Sequence, residues 1–169
     1  KIPAEHWIQD PVVGGGRLIG EACHFIDYMQ SMCGTRPTTV FAQRVGRQAS
    51  GITDDQCVIT LTFADGSVGT VIYTAGGNSG LAKERFEAHA DGKSLIMDDF
   101  QETHLYSGSQ HEVFKTPKRD KGFNAEINHL VQAVEQGSPS VMSSDDMAAV
   151  TRACLLAVRS LQSGSAYEI

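Results

Sequence analysis

Cys57-Val58-Ile59-Thr60-Leu61-Thr62-Phe63-Ala64-Asp65-Gly66-Ser67-Val68-Gly69-Thr70-Val71-Ile72-Tyr73-Thr74 carries the clearest structural signal in the chain. Cys57, Ile59, Leu61 and Phe63 alternate with Val58, Thr60 and Thr62, the period of two that gives a strand two distinct faces. Asp65-Gly66 between two such runs is a hairpin signal, because glycine enters left-handed turn conformations without steric cost. Val68 to Thr74 is then the returning strand. Both alternating sets are apolar or β-branched, and helices of so short a chain can cover only one face. The second face, bearing Val58 with Val71 and Tyr73, is therefore expected to be an apolar patch that seeks a second copy.

Strand formers also cluster around Val40 to Arg47 upstream, and at Glu84 to His89, Ser94 to Asp98, Glu102 to Tyr106 and Glu112 to Lys115 downstream, with turns at Asp91-Gly92 and Ser107-Gly108. Together they predict an antiparallel sheet. Leu18, Ala22, Phe25, Met29 and Met32 recur at helical spacing, and Gly34 is the natural stop. Two more helices are predicted: Ala125 to Gln136, with Ile127, Leu130, Val131 and Val134 on one face, and Asp146 to Gln162, with Met147, Val150, Cys154, Val158 and Leu161. Ser143, Ser144 and Asp145 supply possible caps for the last. Residues 1 to 16, with Pro3, Pro11 and Gly14-Gly15-Gly16, read as a loop. The expected fold is α+β, an open, mostly antiparallel sheet with helices packed on one face, in a single domain over residues 1–169.

Composition narrows the function. With 41% hydrophobic and 20% charged residues, a chain of 169 residues has an ordinary globular balance and needs no metal or disulfide to fold. Its net charge of -6, without any Lys/Arg stripe, argues against nucleic acid and anionic membranes as partners. Cys23, Cys33, Cys57 and Cys154 form no CxxC pair, which suits reduced thiols in the cytoplasm, and no metal is expected. No apolar run approaches the roughly 18 residues of a membrane span. The chain opens at Lys1 rather than methionine, so an upstream part is expected to have been removed. No GxGxxG follows a strand, no GxxxxGK[ST] occurs and no βαβ alternation is visible, so nothing here could hold a dinucleotide alone.

On the first helix Glu21, His24 and Asp27 are spaced by three, with Arg17 and Tyr28 nearby. A histidine between carboxylates is held in one tautomer and suits general acid/base work. The simpler reading, a solvated helix face, fits the spacing too and is the commoner case. Gly14, Gly15 and Gly16 would let backbone approach a ligand at the helix start. His6-Trp7 reads either as a sugar-stacking platform or as an aromatic plug. Lys83-Glu84-Arg85 and Asp98-Asp99 read as exposed strand ends and turns. His89, His104, His111 and His129 read as isolated surface or structural histidines.

Gly14-Gly15-Gly16-Arg17-Leu18-Ile19-Gly20-Glu21-Ala22-Cys23-His24-Phe25-Ile26-Asp27 resembles the GG-x(n)-H-x-x-D signature of the glucose-fructose oxidoreductase, inositol dehydrogenase and rhizopine catabolism family, Gfo/Idh/MocA. Phe63-Ala64-Asp65-Gly66-Ser67-Val68-Gly69, Phe123-Asn124-Ala125-Glu126 and Ala133-Val134-Glu135-Gln136-Gly137 are similar to later segments of that family. The resemblance covers nearly all of the chain, but only the second half of a family member. It implies a C-terminal domain of the dihydrodipicolinate reductase or glyceraldehyde-3-phosphate dehydrogenase kind. In the family an N-terminal Rossmann domain, absent here, holds NAD or NADP, and the open sheet face serves oligomer contacts. It places the catalytic histidine at His24. Many members carry an aspartate four residues earlier; here that position is Gly20, and Glu21 is the candidate replacement. Ile2-Pro3-Ala4-Glu5-His6-Trp7 followed by Gly16 to His24 resembles a subgroup of dehydrogenases, some fused to a zinc-type alcohol dehydrogenase-like part.

The resulting expectation is the substrate-binding half of an NAD(P)-dependent oxidoreductase acting on a hydroxyl of a sugar, polyol or sugar derivative. His24 is its general acid/base with Glu21 and Asp27, His6, Trp7 and Arg17 bind substrate, and Gly14, Gly15 and Gly16 lie near the cofactor. The rival is a non-catalytic binding or oligomerisation module that keeps the fold, favoured by Gly20 and opposed by His24. Residues 1–169 alone are expected to give no heat of binding with NAD or NADP in calorimetric titration, because no glycine turn opens a helix in a βαβ unit. Micromolar binding would refute this.

Overall fold

The computed structural model describes all residues except Lys1, Ala4, Pro11 and 47–55. The parts of the loop reading that rest on Ala4 and Pro11, and the predicted strand end at Arg47, lie outside the described residues. The chain divides into two compact units, one of residues 1–76 with 141–169 and one of residues 77–140.

In the first unit a single turn of 3-10 helix, Trp7–Gln9, precedes a π-helical turn, Leu18–Ala22, which runs into helix α1, Cys23–Cys33. Gly34 closes α1 with φ 65°, the left-handed cap expected of it. Strands β1 (Pro37–Arg44), β2 (Gln56–Phe63) and β3 (Val68–Thr74) form an antiparallel meander. The second unit contributes β4 (Arg85–Ala90), β5 (Lys93–Asp98), β6 (Glu102–Ser107), β7 (Gln110–Lys115) and helix α2 (Phe123–Gln136). Helix α3 (Ser144–Ser163) and the two-residue β8 (Tyr167–Glu168) return to the first unit.

The described strands make two four-stranded sheets, ordered β3-β2-β1-β8 and β4-β5-β6-β7, rather than the one sheet expected. The cause is local: β4 to β7 are joined by tight turns and each pairs with its sequence neighbour, so the second meander forms an open sheet of its own. The α+β class stands, with every pairing antiparallel.

The core of the first unit lies between its sheet and the helices. Val40 and Ala42 of β1, Cys57, Ile59, Leu61 and Phe63 of β2, and Ile26 and Met29 of α1 are buried. Fully burying a residue such as Ile59 contributes roughly 1.5–3 kcal/mol. Helix α3 lies on β1 through Val150, Ala153, Cys154, Ala157 and Ser160, a stripe rotated from the predicted one: Met147 is half-exposed. Small residues on this stripe let the helix come close. Past the short β8, the free amide of Ala42 finds Ser160 Oγ at 2.8 Å, so the serine completes the ladder from the helix side. Ser143 caps α3 in a reciprocal box with Asp146, and the Ser143 hydrogen bond, aided by Arg36, holds the Asp146 carboxyl down to about 2.

The strand alternation corrects one expectation. Val71 lies opposite Ile59 and Tyr73 opposite Cys57, so both belong to the helix-covered face, at 8% and 7% exposure. Directly paired residues share a face, and counting from the Thr62–Val68 pair puts Ile72 beside Val58 on the open side. Ile72 (72% exposed), Val68 (66%) and Phe41, paired with Thr60, are apolar residues offered there. A second difference concerns α2, whose Ile127, Leu130, Val131 and Val134 stay exposed, Ala133 being its buried residue.

These assignments separate two charge insertions. Val71→Lys is expected to lower thermal stability sharply by burying an unpaired charge, whereas Ile72→Lys should leave melting unchanged. Only the second should shift sedimentation of an assembled species toward the monomer; equal melting of the two variants would refute the register argument.

Candidate active site

The site begins in the opening loop. His6 Nδ1 accepts the amide of Ile8 at 3.3 Å and so starts the turn Trp7–Gln9, which leaves the other ring nitrogen as donor in the neutral form. Asp10 Oδ1 accepts the amides of Val12 and Val13 at 2.7 and 3.0 Å, which lowers the Asp10 carboxyl from its ordinary value and bends the chain back. Gly15 and Gly16 have φ of 72° and 88°, conformations that a side chain would strain. Gly14 is small for another reason. A Cβ there would stand 2.6 Å from Cα of Ile8 and collide with the Trp7 carbonyl. The side-chain space at Gly14 thus faces the protein's own turn, and Gly16 is buried.

Arg17 follows and is 7% exposed. Its guanidinium donates to the Glu21 carboxylate and to the Tyr73 hydroxyl, and the Tyr73 hydroxyl donates to Glu21 Oε2 at 2.6 Å. The guanidinium also lies 5.5 Å from the Tyr73 ring centre. Burial and the Glu21 hydrogen bond push the Tyr73 phenol well above its ordinary value, so it stays protonated and can donate. Burial opposes the charge of Arg17, but the bond to Glu21 and its neighbours outweigh it and the guanidinium is held charged.

Glu21 lies in the π-helical turn, whose wider hydrogen-bond spacing breaks the simple three-residue register with His24 and Asp27 in α1. Glu21 is half-buried against Tyr73, His24 is exposed, and Asp27 is half-buried one turn further on. His6 and Trp7 are exposed, their ring centres 5.7 Å apart. The structure therefore joins Arg17 and Glu21 to each other and to Tyr73, which sequence reasoning had placed on the opposite face. An inward-facing Tyr in the register Cys57–Tyr73 was the available signal. Cys154 is buried and its thiol is pushed up to about 12, so it packs as a small hydrophobe.

In the second unit two expectations change. Glu84 is buried, 8% exposed, and paired with Lys121 at 2.7 Å, not an exposed strand end. His104 and His111 are not isolated: Nδ1 of His104 lies 2.9 Å from Nε2 of His111, His104 Nε2 meets Glu102 at 2.8 Å, and His111 stacks on Tyr106 at 4.3 Å. The β6–β7 register makes this cluster, and spacing along the chain conceals it. Among the described residues no group of three or more His, Cys, Asp or Glu could hold a metal, and no helix is long and apolar enough to cross a membrane.

Residues 1–96 match the model of the GFO/IDH/MocA C-terminal domain, and the chain belongs to that family. Among solved structures it is similar to an aldose-aldose oxidoreductase from Caulobacter crescentus complexed with glycerol, at 16% identity and TM-score 0.81, covering 100% of this chain and 52% of that one. A UDP-N-acetylglucosamine 3-dehydrogenase from Acidithiobacillus ferrooxidans matches at 19% identity and TM-score 0.68, over 86% of this chain and 47% of that one. An oxidoreductase from Agrobacterium radiobacter in complex with NAD+, L-tartaric acid and magnesium matches at 13% identity and TM-score 0.72, over 88% and 47%. The chain thus spans about half the length of these structures. No curated protein sequence matches it.

Tyr73→Phe removes two hydrogen bonds, one accepted from Arg17 and one donated to Glu21, and is expected to cost at least about 1.5–3 kcal/mol. Urea unfolding of residues 1–169 measures this; an unchanged midpoint would mean that the Arg17–Glu21 pair stands without the phenol.

Proposed function

We propose that the chain is the substrate-binding half of an NAD- or NADP-dependent oxidoreductase acting on a hydroxyl group of a sugar, polyol or sugar derivative, with His24 as its general acid/base. The observation that carries this reading is a contrast along one helix start: Arg17 and Glu21 are engaged inward with Tyr73, while His24 stands exposed, open to a substrate. The names of the similar proteins support the substrate class, and the NAD+ bound in one of them supports the cofactor.

The dinucleotide does not fit this chain alone. The glycine loop folds against its own Trp7–Ile8 backbone, and every described strand pairing is antiparallel, so no parallel βαβ cradle is formed among the described residues. Its main holder is then a Rossmann domain elsewhere in the intact protein. This half contributes the proton transfer. A bound oxidised nicotinamide would take the hydride from the carbinol carbon, while the hydroxyl proton passes to His24; in the reverse direction His24 returns the proton to the carbonyl oxygen. Glu21 acts through Arg17 and Tyr73 as a positioning residue, and Asp27 lies one turn beyond the base. Arg17 fixes the helix start, and the exposed rings of His6 and Trp7 offer a surface for a sugar or polyol.

His24→Ala in the intact two-domain protein is expected to lower kcat by on the order of a hundredfold or more with an unchanged melting temperature, since the ring is exposed. Nicotinamide absorbance at 340 nm follows the rate. An unaltered kcat would remove His24 from the chemistry.

A further inference from the structure

We propose that the paired imidazoles of His104 and His111 form an acid-released clasp that holds the edge strand β7 on its sheet. The second sheet runs β4-β5-β6-β7, so β7 has a strand neighbour on one side only, and all six of its residues are exposed. An edge strand with so little burial depends on the bonds it makes across to its neighbour. Between β6 and β7 the side chains add a direct contact of two histidines.

The geometry fixes where the protons sit. Glu102 accepts from His104 Nε2 at 2.8 Å and is itself held by Lys115 at 2.9 Å. The Lys115 bond, with the help of His104, keeps the Glu102 carboxyl below its ordinary value, so it stays charged in mild acid. With its proton on Nε2, neutral His104 has a bare Nδ1, and that atom lies 2.9 Å from His111 Nε2. His111 is then the donor. The two ring planes lie within 12° of each other with centres 5.2 Å apart, much further than the nitrogens, so the rings meet edge to edge. Tyr106, paired with His111 across the strands, lies flat on that ring at 4.3 Å and keeps it in this orientation.

Protons then act in sequence. The first enters at His111 Nδ1, away from the contact, and leaves the bond in place with a charged donor. A second can enter only at His104 Nδ1, where it sets two N–H groups head to head between two positive rings. The folded pair thus accommodates one proton where two free imidazoles take two. A folded state that binds fewer protons than the unfolded chain loses stability as pH falls, here below the ordinary histidine range of about 6.5. The neighbours on that face do not offset the second charge. Asp98 of β5 and Glu87 of β4 are bound to Arg85, Glu102 is bound to Lys115, and His89 of β4 adds a further titratable ring.

Hydrogen exchange of residues 1–169 reads the clasp strand by strand. After correction for intrinsic exchange, protection of the β7 amides is expected to fall at least about tenfold between about pH 6.5 and about pH 5, with β2 and β3 steady within about twofold. His111→Gln keeps a donor at the Nε2 position and can turn its amide oxygen toward a protonated His104, so it should abolish the fall while holding β7 in place. Imidazole nitrogen spectra above neutral pH should show His104 protonated at Nε2 and bare at Nδ1. An equal fall in the parent chain and in His111→Gln overturns the proposal, because the acid sensitivity then lies elsewhere. So does a parent chain whose β7 protection does not fall, or a His104 that carries its proton on Nδ1.

Discussion

A guanidinium withdrawn from water costs several kcal/mol unless counter-charge and hydrogen bonds meet it, and Arg17, 7% exposed, meets both in Glu21 and Tyr73. Arg17 directly follows the glycine loop, Glu21 belongs to the helix start and Tyr73 to β3, so one knot of charge ties three segments together. The seam continues down the helix. Phe25 packs near the Tyr73 ring at 6.4 Å, and Gly69 leaves room for the sulfur of Met29, bringing α1 close to the edge of the sheet. Replacing Arg17 or Glu21 leaves a partly buried charge without its partner, which is why its cost should exceed that of a surface ion pair.

The knot also divides labour among polar groups that look equivalent in one dimension. Those on the inner side of the helix start neutralise one another and hold geometry. His24 on the helix and the rings of His6 and Trp7 in the opening loop are exposed instead. The glycines obey the same division: Gly15 and Gly16 bend the backbone, and Gly14 and Gly20 give space to a single isoleucine. A helix start so braced keeps the exposed His24 in place without enclosing it.

Much of this was legible in one dimension because it depends on period alone. The alternation of Cys57 to Phe63, the Asp65-Gly66 turn and the Gly34 stop each report a local backbone preference, and the strands and helices appear where these signals stand. His24 was singled out by its spacing from Gly14-Gly15-Gly16 and by the family resemblance of that stretch, and its role is the one proposed above. The composition likewise bounded the chain to an ordinary globular fold.

What only tertiary structure decided were the partners. Whether Val71 or Ile72 faces the helices depends on one step of hairpin register, and a one-residue step inverts every face of a strand. That Tyr73 would meet Glu21, 52 positions away, that Ile8 would lie on Gly20, and that His104 would face His111 follow from packing and strand pairing. The division into two sheets depended on which strands found neighbours. Sequence determined the elements, the glycine positions and the identity of the candidate base, since those are properties of residues and their nearest neighbours. Tertiary structure decided which of the ionisable side chains on that helix are spent inside the fold and which one faces outward, since burial is a property of the whole unit.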